Sequence, residues 1–245
     1  QIGCAVGCSF CATGSLGFIR DLSPWEIVAQ VESIRKDSSH PVGGIVFMGM
    51  GEPFLNYDNV MKAAQILSSP TGSAVSAKTI TISTSGIVPG IMRFADEARP
   101  YKLVVSLSSA DPAQRAALIP SEKNWPLDSL TAAIRYYHEK SGERVTLAWT
   151  MISGVNCGEK DAIDLASLFK DIPVRIDLID VNDPSGEKLP PSDEERNLFL
   201  DSLRRYLGMP VARRYSGGKE INAACGMLAG AKSQNMNPID RNSKE

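Results

Sequence analysis

The stretch Val145-Thr-Leu-Ala-Trp-Thr-Met151, with Glu159-Lys-Asp-Ala-Ile-Asp-Leu-Ala-Ser-Leu-Phe-Lys170 and Val174-Arg-Ile-Asp-Leu-Ile-Asp-Val181 after it, reads as strand, helix and strand in succession. The outer segments are short, apolar and rich in β-branched residues, as a strand buried in a sheet requires. The middle segment is long enough to carry the chain back across the sheet so that the second strand runs parallel to the first. The same alternation extends in both directions. Upstream lie strands at Gly43 to Met48, Thr79 to Ser83 and Leu103 to Leu107, and helices near Asp58 to Ser68, Gly90 to Glu97, Ala113 to Leu118 and Leu127 to Lys140. Ser23-Pro24-Trp25-Glu26 combines a capping hydroxyl, a proline at the first helical position and a glutamate three residues after the cap, so a helix is expected over Ser23 to Asp37. Downstream, a helix over Asp193 to Leu207 and a strand over Val211 to Tyr215 complete six strands. The class is α/β with a parallel sheet. Periodicity leaves a barrel and an open doubly wound sheet both open, but in either the loops at the carboxyl ends of the strands hold the chemistry.

The 245 residues, 43% of them hydrophobic, are enough to bury one large core. No run of eighteen uncharged apolar residues and no basic-then-apolar leader occurs, so the expectation is a cytoplasmic protein outside the membrane. The net charge of -2 announces no polyanionic partner. Arg204, Arg205, Arg213, Arg214 and Lys219 lie close together near the end of the chain, where they could meet phosphates or form a solvated face; charge alone favours the face. Asp183 to Ser192 reads as a loop, and residues 231–245 as a loosely held polar tail after a core of residues 1–230. The chain opens at Gln1, without a methionine, just ahead of Cys4, and looks like a fragment.

Five cysteines, three of them between positions 4 and 11, do not resemble a disulfide framework and fit ligands in a reducing compartment. Cys4-Ala-Val-Gly-Cys8-Ser-Phe-Cys11 places three thiols at spacings of four and three. Three thiolates can hold three irons of a 4Fe-4S cubane and leave the fourth open to a chelating substrate. Zinc is the competing metal, but it asks for a fourth donor, and neither His40 nor His138 forms a pair at ligand spacing. Phe10 offers an aromatic face beside the loop, or simply fills the core. Met48-Gly-Met-Gly-Glu-Pro53 follows a strand with glycines for close approach and with Glu52, whose carboxylate can accept from an ammonium group; alone it reads as a turn with an exposed glutamate. Cys225, in Ala223-Ala224-Cys225-Gly226, is a small buried hydrophobe if taken blindly, and Cys157 a structural cysteine.

The spacing of Cys4, Cys8 and Cys11 resembles that of the radical S-adenosylmethionine superfamily, in which the cofactor binds the open iron and one electron splits it into methionine and a 5′-deoxyadenosyl radical. Gln1-Ile-Gly-Cys4, Ala12-Thr-Gly14, Gly49-Met-Gly-Glu-Pro53, Ser83-Thr-Ser-Gly86 and Ala223-Ala-Cys-Gly226 together resemble the RlmN/Cfr family of RNA adenine methyltransferases, in order along nearly the whole chain. The resemblance implies a partial (β/α)6 TIM-like barrel of the radical SAM type, lacking its first strand in this chain. It implies a 4Fe-4S cluster on Cys4, Cys8 and Cys11, and two molecules of S-adenosylmethionine per turnover. Cys225 would accept a methyl group from one molecule and lose hydrogen from that methyl to the radical made from the other. The carbon radical would add to carbon 2 or carbon 8 of an adenine, and the wording around Gly49 to Gly51 and Ala224-Cys225 leans toward carbon 2. Phe10, Gly51, Glu52, Ser83, Ser106, Leu107, Ser108 and Asn182 would contact the cofactor.

Implied partners are 23S rRNA, transfer RNA and a one-electron reductant such as a flavodoxin or ferredoxin, with the protein a monomer. Ser108 stands where the family has histidine, and Asp180 and Asp183 alter its pattern around Asn182. The family's second catalytic cysteine, general base and N-terminal RNA-binding domain would all precede Gln1. Two other readings compete: a radical enzyme of another subfamily, such as an activase or peptide-modifying enzyme, which leaves Cys225 unexplained, and a non-catalytic metal-binding module, for which Cys225 and Gly51-Glu52 would be dispensable.

Overall fold

A computed structural model describes residues 1–183, 185–218, 221 and 224–228. The expected polar tail at 231–245 and Lys219 lie outside the described residues. The chain opens with a feature the sequence did not announce. Strand β1, Ile2–Gly3, pairs antiparallel with β2, Phe18–Arg20, and the segment between them carries the three cysteines and helix α1, Ala12–Ser15. Gly3 is required at the base of this hairpin, since its φ is +74° and a Cβ there would lie 1.8 Å from the Gly17 carbonyl oxygen.

Helix α2, Pro24–Asp37, starts where its signal placed it, and the Glu26 carboxylate accepts from the Ser23 N–H at 2.9 Å to close the capping box. Then follow β3, Ile45–Phe47; α3, Tyr57–Ser68; β4, Ile80–Thr84; α4, Val88–Asp96; and β5, Lys102–Ser106. Next come α5, Pro112–Leu118; α6, Leu127–Ser141; β6, Val145–Met151; α7, Glu159–Leu168; β7, Val174–Asp180; α8, Asp193–Tyr206; and β8, Val211–Arg214.

Strands β3 to β8 form one six-stranded parallel sheet in sequence order, with registers such as Ile45 to Ile80, Val105 to Leu147 and Leu147 to Ile176. This order settles what periodicity left open. A doubly wound sheet reverses direction at its middle, whereas here every crossover steps to the next strand on the same side, as in a barrel. The barrel is partial: the outer edge of β3 has no partner strand among the described residues. Ile80, Ile82, Leu103, Val105, Leu147, Ile176 and Leu178 are buried in a core shared with Phe94, Leu130 and Phe199 from the helices. Trp149 is wholly buried, and its indole N–H donates to the Asn156 carbonyl at 3.0 Å, so its one polar atom is satisfied.

A second, smaller apolar cluster sits above the first. Leu118, Ile119, Ile152 and Val181, which end or follow α5, β6 and β7, pack against Val6, Cys8 and Phe10 of the N-terminal loop. That cluster seats the cysteine loop on the carboxyl-end rim of the sheet. No helix among the described residues is long and apolar enough to cross a membrane.

Candidate functional site

Cys4, Cys8 and Cys11 are half-buried on a loop tied at several points. The Cys4 N–H donates to the Gly17 carbonyl at 2.9 Å, Cys11 N–H to the Cys8 carbonyl at 3.1 Å, and Ser9 N–H to the Leu118 carbonyl at 3.0 Å. Gly7, with φ +71°, makes the bend between the first two thiols. Burial pushes the Cys8 thiol well above the ordinary range, and Cys11 and Cys4 push it further. Burial also raises Cys4. Among the described residues no three His, Cys, Asp or Glu side chains converge on one metal ion. A cubane asks for less, since each thiolate binds its own iron at a separate corner, and this donor set fits it. The two histidines lie elsewhere: His40 is exposed in the loop after α2, and the His138 ring pairs with the Glu143 carbonyl at the end of α6.

Gly51 and Glu52 follow β3. Gly51 has φ +98°, and a Cβ there would meet the Gln1 side chain at 2.6 Å. Glu52 is not an exposed turn residue; it is 3% exposed, and burial raises its pKa. One carboxylate oxygen accepts from the Phe54 N–H at 3.0 Å and the other from the Ser85 N–H at 2.7 Å. Each oxygen keeps a lone pair for a further donor.

Ser83 is buried near the end of β4, and Ser106 is the half-buried last residue of β5. Leu107 and Ser108 are fully buried. Ser108 adopts φ +54°, a conformation that a non-glycine residue holds only when its surroundings enforce it. The enforcing group is Asn156, whose side-chain amide donates to the Ser108 and Thr150 carbonyls, each at 2.7 Å, and accepts from the Ile152 N–H at 2.8 Å. The Ser108 hydroxyl accepts from the Thr150 N–H at 3.3 Å, so it is turned into the protein. Phe10 packs its ring on the smaller apolar cluster.

The far end of the chain closes the site. The Ala12 N–H donates to the Gly226 carbonyl at 2.8 Å, the Thr13 hydroxyl to the Leu228 carbonyl at 3.0 Å, and the Asn182 amide to the Cys225 carbonyl at 3.2 Å. Gly226 has φ +87°, and a Cβ would come within 3.0 Å of the Asn182 carbonyl oxygen and 3.3 Å of that of Phe10. Cys225 itself is exposed, yet the protein packed around it raises its thiol pKa by desolvation, with Cys11 adding to the shift.

Three buried side-chain polar atoms among the described residues lack a partner: Ser85 Oγ, Arg115 Nε and Asn182 Oδ1. All belong to residues at this rim, where an unpaired buried polar atom points to a function. Asn182 was expected from the sequence; Ser85, Arg115 and Asn156 were not. The described basic residues near the end of the chain are each ion-paired in place, Arg204 with Asp201, Arg205 with Glu159, Arg213 with Asp180, which Arg196 shares, and Arg214 with Asp177, which Arg175 shares. This is the solvated face that charge alone favoured. A cavity of about 760 Å³ opens between α2 and β3, lined by Ile27, Val31, Phe47 and, at its rim, Gly51 and Glu52; none of the cysteines lines it.

Residues 1–166 match the family model of the Radical SAM superfamily. A protein of Anaeromyxobacter sp. (strain Fw109-5) named "Probable RNA methyltransferase" is 52% identical over 230 residues, covering 94% of this chain and 68% of that protein. The dual-specificity RNA methyltransferase RlmN 1 of Myxococcus xanthus (strain DK1622) is 44% identical over 232 residues, covering 93% of this chain and 64% of that protein. The crystal structure of a radical SAM methyltransferase from Sphaerobacter thermophilus superposes with a TM-score of 0.89 at 42% identity, over 93% of this chain and 67% of that one. The chain thus spans 64% to 68% of the length of these proteins.

Proposed function

Because the chain belongs to the Radical SAM superfamily and, within it, to the RlmN type of RNA methyltransferase, we propose that it methylates an adenine of RNA through a methyl group carried on Cys225. The observation that carries this reading is the seating of the Cys225 segment on the cysteine loop by Ala12, Thr13 and Asn182. A cysteine segment tied through three of its backbone carbonyls to the residues that follow the cysteine loop and β7 is a placement that neither a metal-binding module nor an activase needs.

Cys4, Cys8 and Cys11 would hold a 4Fe-4S cluster, leaving one iron for S-adenosylmethionine. When bound, these groups supply hydrogen-atom abstraction and, from a second S-adenosylmethionine, a methyl group. Glu52 presents a buried carboxylate on which an ammonium group can rest, and its two backbone hydrogen bonds fix the direction of its free lone pairs. The Asn182 amide spends its N–H groups on Ser216 and Cys225 and keeps its oxygen free for a donor. Gly51, Ser83, Ser106 and Leu107 border the same rim; Ser108 contributes a fixed backbone turn, with its hydroxyl turned inward. Desolvation raises the Cys225 thiol pKa, and transfer of a methyl group to its sulfur releases the thiol proton.

The target is carbon 2 of an adenine in 23S rRNA, with transfer RNA a further substrate. A flavodoxin or ferredoxin would deliver the electron to a monomer. The test is protein reconstituted anaerobically with iron and sulfide and supplied with S-adenosylmethionine. Peptide mass spectrometry should show a one-methyl increment on Cys225, and hydrolysed target RNA should contain 2-methyladenosine. Protein that holds its cluster but leaves Cys225 unmodified would sink the proposal in favour of another radical subfamily.

A further inference from the structure

Arg115 is the one cation among the described residues with no exposed surface, and its surroundings are built. It lies in α5, where the Asp111 side chain caps the helix by accepting from the Gln114 N–H at 2.8 Å. One terminal nitrogen donates to the Glu122 carboxylate at 2.7 Å. The other donates to the Ser85 carbonyl at 2.7 Å and the Ser106 carbonyl at 3.4 Å, bracing the ends of β4 and β5 together. Glu122 in turn accepts from the Leu127 N–H at 2.7 Å. The remaining Nε–H is buried without a partner.

Stability does not account for this arrangement. Burying a charge costs several kcal/mol per ion, and a buried pair replaced by apolar side chains of similar size is often as stable or more so. What distinguishes Arg115 is what lies above it. Leu118, three residues on and therefore on the same helix face, accepts from the Ser9 N–H and packs with Ile119 against Val6, Cys8 and Phe10. The helix that carries the guanidinium is thus tied to the thiol loop.

We propose that Arg115 is a positioning residue whose buried charge, oriented by Glu122 and the Ser85 and Ser106 carbonyls, favours one-electron reduction of the iron-sulfur cluster that Cys4, Cys8 and Cys11 would hold. The inference rests on the assignment of a cluster to those cysteines. An external one-electron donor is oxidised and the cluster reduced, gaining one negative charge and no proton; a fixed cation in a low-dielectric site lowers the free energy of the product more than that of the reactant. Glu122 opposes this from the other side of the guanidinium while holding it in place.

The experiment is a potentiometric titration, followed by electron paramagnetic resonance, of anaerobically reconstituted protein. Arg115→Met/Glu122→Gln removes both charges and keeps the site neutral; Glu122→Gln removes only the opposing one; Arg115→Lys keeps the charge. The double variant should be harder to reduce by at least tenfold in the equilibrium, about 59 mV for one electron. Glu122→Gln should be easier to reduce, and Arg115→Lys should stay near the parent. A double variant with full iron content and the parent's potential overturns the proposal. Should the double variant not fold, Glu122→Gln decides alone, since an unchanged potential there refutes it. A parent protein that takes up no cluster refutes this inference together with the proposed function, whereas a loaded parent with indifferent variants refutes the inference only.

Discussion

Two cysteines outside the N-terminal loop carry the same side chain in opposite settings. Cys157 follows β6 in a tight loop, 6% exposed, with its thiol directed at the Ile152 carbonyl and the Asn156 side chain and its pKa pushed up to about 12 by burial. Cys225 is exposed, and its backbone rather than its sulfur makes the bonds. In the first region the thiol is a packing atom and the loop is built around it. In the second the loop is anchored through the carbonyls of Cys225, Gly226 and Leu228, and none of these bonds engages the sulfur. The two settings differ in whether the sulfur or the backbone makes the contacts.

The sharpest way to break that contrast is to delete each thiol in turn. Cys225→Ala should abolish RNA methylation while leaving the thermal melting curve unchanged; Cys157→Ala should retain activity and lose about 1 kcal/mol of stability by urea unfolding. Next in size, Asn182→Ala removes the amide that holds the Cys225 carbonyl and should lower kcat about 100-fold through misplacement, with intact cluster absorbance. Gly226→Ala should cost about 1–2 kcal/mol, because φ +87° is unfavourable for alanine and the new methyl meets the Asn182 carbonyl. Smallest is the pH effect at Cys157. Its folded pKa of about 12 lies above the ordinary 9.0, so the folded state binds more protons than the unfolded state between those values. Its contribution is therefore complete below about pH 9 and is lost as pH rises toward 12. Urea midpoints should fall more steeply above pH 9 in the parent than in Cys157→Ala; parallel curves would erase the distinction between the two thiols.

The sequence announced most of the sheet, because strand and helix periods are local properties. Val145–Met151 has the bounds expected, since both its ends abut turns and both its faces are buried. The helix expected to reach Lys170 stops at Leu168, where the chain leaves helical geometry and Phe169 is fully buried. The strand expected from Gly43 narrows to Ile45–Phe47, and the one expected from Thr79 begins at Ile80 because Ala77–Thr79 is a 3-10 turn. The hairpin of Ile2–Gly3 with Phe18–Arg20 was not legible: its strands are too short to show alternation, and β2 is exposed throughout.

Barrel order was out of reach for a different reason, since it depends on which strands meet and not on their composition. At the site, motifs located the cysteines, Glu52 and Asn182, whose residue types announce chemistry. Arg115 and Asn156 were missed because an arginine in a helix and an asparagine in a loop are ordinary until burial and partners are known. The inward turn of Ser108 was equally invisible, since its left-handed backbone is imposed by Asn156 from another loop.

The bond from the Thr13 hydroxyl to the Leu228 carbonyl joins positions 215 residues apart. At about 5–20 residues per second on the ribosome, on the order of 10–40 s separate the emergence of its two ends. The cysteine loop leaves the exit tunnel long before the segment that carries Cys225 exists, and loop closure over that span must wait for the sheet between them. The three thiols are therefore made early and covered late, standing open to whatever they meet for most of the time the chain takes to be made.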